Sequence, residues 1–166
     1  MRLFLASFAS VTDYPGLKAR FDPYFEGKWV EPRNLHLTWY FLGEHPSPHP
    51  FAERLQALKM IPRLPLGIHG IRLFGRQEPT HLVLTTPPAV AGVLHQKIAE
   101  LLGMEPDKNF TPHVTLARIK KIRKEGLTQA IDSFQPQELG SVEKEIYLIE
   151  SRLTPTGPVY LPLEEF

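Results

Sequence analysis

The chain has 166 residues, a length that suits one compact domain with a full core, and we expect no separate modules. Its 42% hydrophobic and 22% charged residues exclude wholesale disorder, and its net charge of +1 identifies no class of partner. Cysteine is absent, which excludes disulfides, thiolate metal sites and covalent catalysis by a thiol. The apolar run at residues 3–8 is too short for a membrane span, so we expect a cytoplasmic protein.

Apolar periodicity predicts three strands and two helices in the first half of the chain. Pro23 ends the first helix, and Pro48 occupies the first turn of the second. Gly67 and Gly70 weaken the third strand or mark a bulge. In chain order the elements are a strand at 2–8, a helix capped by Thr12, a strand at 34–43, a helix at 48–58 and a strand at 64–74.

The sequence of the second half predicts a similar alternation of strands and helices. Pro88 begins the clearest helix, Gly103 ends it, and its apolar stripe includes Val90 and Val93. In chain order the elements are a strand at 81–85, a helix at 88–102, a strand at 110–118, a helix around 127–134, and strands at 145–152 and 159–163.

A constant offset of 77 residues relates the two halves. Few side chains are identical between them, so the repeat is one of architecture. We expect an α+β fold, duplicated and bilobal, in which two pseudo-twofold-related lobes each carry an antiparallel-type sheet and helices, with the active-site cleft between them. One domain over residues 1–166 would divide into lobe-like halves near 1–76 and 77–166. The offset places 4–8 on 81–85, 13–22 on 90–99, 48–58 on 125–135 and 66–74 on 143–151.

Two His-x-Thr motifs lie at equivalent positions of this repeat. His36 and Thr38 belong to the central strand of the first half, and His113 and Thr115 to that of the second. Because strand side chains alternate between faces, each histidine projects with its threonine while the residue between them faces the core. Histidine serves as an acid or a base near neutral pH. Two such strands side by side predict a matched acid and base.

Two further residues are candidates for substrate binding. Strand parity places Tyr40 on the face of His36, where its ring would stack on a nucleobase, and assigns Trp39 to the core. Arg118 begins a run with five positive charges in seven residues, and clustered cations beside a cleft attract phosphate backbones. Regular alternation turns Arg118 away from His113. A bulge after Thr115, an approach around the edge of the lobe and a structural role all remain open, and we favour the bulge.

No metal or cofactor site is predicted. His45 and His49 have the spacing of a helical zinc pair, but the prolines interleaved with them prevent that helix, so we interpret both as solvated loop residues. The sequence contains neither a Walker loop nor a dinucleotide-binding glycine motif.

The paired motifs on a duplicated α+β chain resemble the two-histidine (2H) phosphoesterase superfamily. The segments 34–44, 111–118 and 151–160 are similar to its LigT-like, or ThpR, branch, the RNA 2′,3′-cyclic phosphodiesterases. The resemblance implies metal-independent hydrolysis of a 2′,3′-cyclic phosphate to a 2′-phosphate, with reversible 2′-5′ RNA ligation in some members. The substrate would be an RNA or oligonucleotide with a cyclic phosphate end, and we expect a monomer without an obligate protein partner or a membrane.

The resemblance also implies roles for single residues. His36 matches the proton donor, His113 the proton acceptor, and Thr38 and Thr115 the phosphate-binding threonines. The resemblance also implies that Arg118 contacts the substrate. Two alternatives stay open. One is another two-histidine phosphodiesterase, acting on a 2′-5′ oligonucleotide or an ADP-ribose cyclic phosphate. The other is a non-catalytic module that binds RNA ends.

Overall fold

The structure, a computed structural model, describes residues 1–134 and 137–166. Within these ranges no helix is long and apolar enough to cross a membrane. The strands are β1 (Arg2–Val11), β2 (Phe25–Trp29), β3 (His36–Glu44), β4 (Leu66–Ile68), β5 (Gly70–Phe74), β6 (His81–Thr85), β7 (His113–Ile122), β8 (Gly140–Val142), β9 (Tyr147–Thr154) and β10 (Gly157–Glu165). The α-helices are α1 (Tyr14–Phe21), α2 (His49–Arg54), α3 (Pro88–Leu102) and α4 (Leu127–Asp132), and 3₁₀ turns lie at Asp22–Tyr24, Pro32–Asn34 and Leu55–Met60.

The strands form an antiparallel sheet with the order β10-β9-β1-β3-β7-β6-β5, and β2 pairs with the far part of β7. The predicted α+β class is confirmed. The two halves exchange strands, since β9 of the second half pairs with β1 and β5 of the first half pairs with β6. The expected halves at 1–76 and 77–166 therefore do not form two separate sheets, because β5 and β9 each complete the sheet of the other half.

The two halves meet where β3 and β7 pair through Leu37 and Val114, which we call the central pair. Both residues are fully buried, and they occupy equivalent positions of the 77-residue repeat. A strand that pairs antiparallel with its own equivalent, at the equivalent residue, has a local twofold axis at that pair. The flanking registers agree, because Phe8 lies opposite His36 as Thr85 lies opposite His113. The predicted duplication is confirmed.

A bulge interrupts both central strands at the same position of the repeat. Trp39 on β3 has no partner residue on β1, and Leu116 on β7 has no partner residue on β6. Both of these side chains are buried. An extra residue shifts the alternation of every residue after it, so the residues that follow each bulge face the side opposite to the one that simple parity predicts.

The helix α3 supports β3 from the core side. It ends at Gly103, whose φ of 68° is left-handed, as the sequence predicted. The predicted apolar stripe is partly wrong, because Val90 and Val93 are 60% and 73% exposed. The residues that α3 buries are Ala91, His95, Ile98, Ala99 and Leu102.

Several boundaries differ from the prediction for local reasons. The cap of α1 is Asp13 rather than Thr12, because the Asp13 carboxylate accepts a hydrogen bond from the Gly16 N–H at 3.1 Å. The predicted strand at 64–74 is divided at His69, between the two glycines. The edge strand β2 and the short β8 were not predicted, since neither shows a clear apolar alternation. The repeat predicts a helix at 125–135, and its last residue, Gln135, lies outside the described residues.

Candidate active site

The two His-x-Thr motifs lie on the face of the sheet opposite the central pair. Extending the antiparallel register by one residue on each side of that pair sets His36 across from Thr115 and Thr38 across from His113. These four side chains are partly exposed, whereas the central pair is buried. The structure therefore brings together the four residues that the motifs predicted, with twofold symmetry.

Each histidine is oriented by a backbone carbonyl two residues earlier. Nδ1 of His36 lies 2.7 Å from the carbonyl oxygen of Asn34, and Nδ1 of His113 lies 2.7 Å from that of Thr111. Because a carbonyl oxygen only accepts, Nδ1 carries the hydrogen in both rings. Nε2 is then the nitrogen that gains or loses a proton. Both imidazoles are thus prepared for proton transfer in the same way.

Aromatic rings pack against both imidazoles. The ring of His36 lies 5.4 Å from that of Phe4 and 5.1 Å from that of Tyr160, the latter edge-on. The ring of His113 meets Phe74 edge-on at 4.8 Å. Sequence reasoning assigned no role to these aromatic residues, since they come from β1, β5 and β10 and only the sheet order brings them to the motifs.

Burial is the main electrostatic influence on His36. It lowers the pKa of His36 below its ordinary value of 6.5, the hydrogen bond to Asn34 acts in the opposite direction, and the charge of His113 lowers the pKa further. The neutral form of His36 is therefore favoured. An anion bound beside the ring would favour the protonated form instead.

Arg118 lies on the same face as His113. The bulge at Leu116 leaves Ala117 buried and turns Arg118 outward, opposite His81 on β6. The charge of Arg118 lowers the pKa of His81, after burial as the larger cause, and it opposes the rise that burial gives to the pKa of Tyr160. The bulge that we favoured from the sequence is present, and Arg118 lies at the rim of the site.

The prediction that Tyr40 shares the face of His36 is wrong. The bulge at Trp39 moves Tyr40 to the core side, opposite the buried Leu5. There its ring stacks on His95 at 5.7 Å and its hydroxyl donates to the carbonyl oxygen of Glu105 at 2.7 Å. Parity predicts the face of a residue only while the strand is regular.

Phe41 occupies the position that Tyr40 was expected to hold. It is 71% exposed, and it lies opposite Phe4 with ring centres 6.3 Å apart. Phe41 is also the repeat equivalent of Arg118, since the two residues are 77 positions apart. That equivalence is the signal in the sequence that would have identified Phe41.

His95 has a structural role that connects both motif strands. It is 3% exposed, its Nδ1 donates to the carbonyl oxygen of Trp39 at 2.8 Å, and its Nε2 accepts from the N–H of Asp107 at 2.9 Å. One side chain thereby ties the bulge of β3 to the loop that leads into His113. Both nitrogens are used, so His95 is a neutral, satisfied core residue.

Within residues 1–134 and 137–166, no group of three or more histidine, aspartate, glutamate or cysteine side chains is arranged to hold a metal ion. Nε2 of His45 is directed at the carbonyl oxygen of Leu42, 2.8 Å away, rather than at His49. The geometry offers proton transfer and anion binding as the chemistry of the site.

A family model described as the 2′-5′ RNA ligase superfamily matches residues 14–152. The chain belongs to this superfamily. The predicted two-histidine resemblance is confirmed.

Members of the superfamily from several organisms are similar over most of their length. The RNA 2′,3′-cyclic phosphodiesterase of Aquifex aeolicus is 31% identical over 171 aligned positions, which cover 90% of this chain and 86% of that protein. The RNA 2′,3′-cyclic phosphodiesterase of Methanocaldococcus jannaschii is 31% identical over 186 aligned positions, which cover 100% of both chains.

Solved structures agree with the fold. The crystal structure of the protein TT0787 of Thermus thermophilus aligns with a TM-score of 0.76 and 30% identity, covering 100% of this chain and 97% of that one. Escherichia coli LigT complexed with 3′-AMP aligns with a TM-score of 0.68 and 22% identity, covering 99% of this chain and 96% of that one, which shows a shared fold.

We expect His36 to titrate below pH 6.5 in the empty protein, because burial lowers its pKa. Saturating inorganic phosphate should move the titration to higher pH, since a bound anion stabilises the imidazolium. His113→Gln should also raise the pKa of His36, because that variant removes the neighbouring positive charge. The measurement is an NMR titration of the ring carbons, and a midpoint at or above 6.5 in the empty protein would contradict the expectation.

Proposed function

We propose that the protein hydrolyses the 2′,3′-cyclic phosphate at RNA ends to a 2′-phosphomonoester by paired acid and base catalysis. The observation that carries this proposal is the symmetric pair of carbonyl-bound imidazoles, each set across from the threonine of the other motif. The names of the relatives support the choice of substrate. The protein is accordingly an enzyme of the cyclic phosphodiesterase class.

The reaction needs one group that accepts a proton and one that donates a proton, on opposite sides of phosphorus. Neutral His113 takes a proton from the attacking water at Nε2, and the new P–O bond forms. Protonated His36 gives its Nε2 proton to the 3′ oxygen as the P–O3′ bond breaks. The two histidines end with their protonation states interchanged, and exchange of protons with water restores them.

The depressed pKa of His36 fits the donor role once substrate is bound. The cyclic phosphodiester is an anion, and its charge stabilises the imidazolium of His36 in a site where burial otherwise disfavours it. Binding and protonation are therefore coupled. An easily lost proton is also a better one to deliver to the leaving oxygen.

The remaining polar groups bind the phosphate. The hydroxyls of Thr38 and Thr115 donate hydrogen bonds to the non-bridging oxygens, whose charge changes in the transition state. Arg118 contributes a guanidinium, which suits phosphate geometry. Phe41 offers an exposed ring on which the terminal base stacks, in place of Tyr40.

A 5′-hydroxyl of a second RNA can replace water as the nucleophile. His113 then takes the proton of that hydroxyl, the P–O5′ bond forms and the P–O3′ bond breaks, which leaves a 2′-5′ linkage. Since every step is reversible, the same residues cleave that linkage. We also propose that residues 1–166 work as one domain and as a monomer. The absence of cysteine suits the reducing cytoplasm, where we propose that the protein acts.

The purified protein should convert a nucleoside 2′,3′-cyclic phosphate to the 2′-phosphate with undiminished rate in excess EDTA, because both proton transfers have residues to perform them. The product is identified by ³¹P NMR. Binding without turnover would favour the RNA-end-binding module, and turnover only of a 2′-5′ oligonucleotide or an ADP-ribose cyclic phosphate would favour another two-histidine phosphodiesterase. Activity that is lost in EDTA and restored by a divalent ion would contradict the mechanism.

His36→Ala and His113→Ala should each lower kcat by about 10²-fold or more, the usual contribution of one positioned acid or base. The fold-decrease in kcat of the double variant should be far smaller than the product of the two single decreases, because the histidines act as a unit. His49→Ala, at the exposed start of α2 rather than in the loop that the sequence predicted, is the matched control and should keep the rate. Near wild-type turnover in either single active-site variant would refute the assigned roles.

Arg118→Lys should lower kcat/KM by about tenfold, because an ammonium replaces the paired donors of a guanidinium. The melting temperature should stay nearly constant, since the side chain is exposed. Arg123→Lys, in the same basic run, is the control. A sharp fall in melting temperature, with full turnover per folded molecule, would show that Arg118 is structural.

A further inference from the structure

Two cations and a histidine stand side by side on neighbouring strands. His81 on β6 lies opposite Arg118 on β7, and Arg118 lies opposite Lys28 on β2. Directly opposed residues of adjacent strands share a face of the sheet. We call these three residues the cationic row. It lies on the face of His113, and Lys28 is its outermost member because β2 is an edge strand.

The cationic row lies one short step from the reacting phosphate. Thr115 lies opposite Val83 of β6, and Arg118 lies opposite His81 of the same strand. Thr115 is therefore two β6 residues away from the row. That is roughly 7 Å along the sheet. The separation is similar to that between successive phosphates in an extended nucleic-acid strand. A substrate phosphate held at Thr115 therefore leaves the next phosphate of the chain within reach of the row.

Lys28 and Arg118 are available to bind an anion. Neither forms an ion pair with any residue in the described part of the chain. Both line a surface depression of about 330 Å³, together with Glu26, Gly27, Ile119 and Lys120. Glu26 is the one carboxylate there, and Lys120 lies 3.7 Å from it. The depression keeps a surplus of positive charge after that pair is counted.

The position of the Lys28 ammonium is limited by the turn between β9 and β10. A side chain at Gly157 would meet Nζ of Lys28 at 3.1 Å, so the ammonium rests beside this turn. The same hairpin carries Tyr160, which packs against His36. Lys28 therefore lies between the hairpin and Arg118, at the margin of the active-site face.

The other side of the site has a different chemistry. The repeat equivalents of His81 and Arg118 are Phe4 and Phe41, so the cleft has one cationic side and one aromatic side. The aromatic side also has a cation, Arg2, which lies opposite Glu44 in the register of β1 and β3. A base fits the aromatic side, and a second phosphate fits the cationic side.

We propose that Lys28, beside Arg118, binds the phosphate on the 5′ side of the nucleotide that carries the cyclic phosphate. This inference rests on the proposed function and extends it to the substrate class. The protein is selective for the ends of RNA chains over free cyclic mononucleotides. In the hydrolysis the cyclic phosphate terminates the chain, so the neighbouring phosphate that the row can bind is the 5′ phosphate.

Two substrates that differ only in this phosphate test the inference. One is a nucleoside 2′,3′-cyclic phosphate with a free 5′-hydroxyl, and the other carries a 5′-phosphate methyl ester, which has the single charge of an RNA linkage. The wild-type protein should show a kcat/KM about tenfold higher for the second substrate. Lys28→Ala should bring the ratio of the two values close to one, and Lys97→Ala, which changes a partly exposed lysine on α3, should leave the ratio unchanged.

Salt dependence gives a second measurement. The logarithm of kcat/KM for the methyl ester should fall less steeply with the logarithm of salt concentration in Lys28→Ala, by about 0.7, the value for one phosphate contact in a single strand. Melting temperatures confirm that each variant is folded.

The outcomes separate this inference from the function on which it rests. If the wild-type protein hydrolyses neither substrate, the proposed function fails. If it hydrolyses both equally, the function stands and the inference is overturned. The inference is also overturned if Lys28→Ala lowers kcat/KM by the same factor for both substrates. It is overturned as well if Arg2→Ala, rather than Lys28→Ala, removes the preference for the methyl ester.

Discussion

The central pair determines the arrangement of the rest of the site. Leu37 and Val114 pair antiparallel at the one place where β3 and β7 are joined, and both are fully buried. Because side chains alternate, burial of this pair forces the flanking histidines and threonines onto the opposite face. Because the pair joins equivalent residues, the acid and the base arrive with the same geometry. A shift of one residue would turn both motifs into the core.

The two equivalent bulges then bring residues of different chemistry to the two sides of the site. A regular strand would have kept Tyr40 beside His36 and turned Arg118 away from His113. The extra residue at Trp39 or Leu116 reverses both outcomes, and it brings Phe41 and Arg118 to the exposed face. His95 holds one of these bulges through the carbonyl of Trp39. The catalytic centre is thus symmetric, whereas its substrate-binding margins are not.

Much of this arrangement could be predicted from the sequence. The offset of 77 residues, the two motifs and their shared face depend on local alternation and spacing, which the sequence displays directly. The faces of Tyr40 and Arg118 depend on the bulges, and a bulge leaves no periodic signal in one sequence. The strand β2 was missed because Glu26, Gly27 and Lys28 resemble a polar loop. Phe4 and Tyr160 are far from His36 in the chain, and only the sheet order brings them to it.

The exchange of strands gives the chain the form of a domain-swapped dimer contained in one polypeptide. Each half makes its own β1-β3 or β6-β7 pair, but β5 of the first half and β9 of the second leave to pair with the first strand of the other half. A half-length chain would leave that strand without its neighbour, and two identical copies could satisfy each other by swapping it. The loop at residues 75–80 makes this exchange intramolecular. It therefore replaces a concentration-dependent association with the closure of a short loop, and it frees the two copies of the site to diverge.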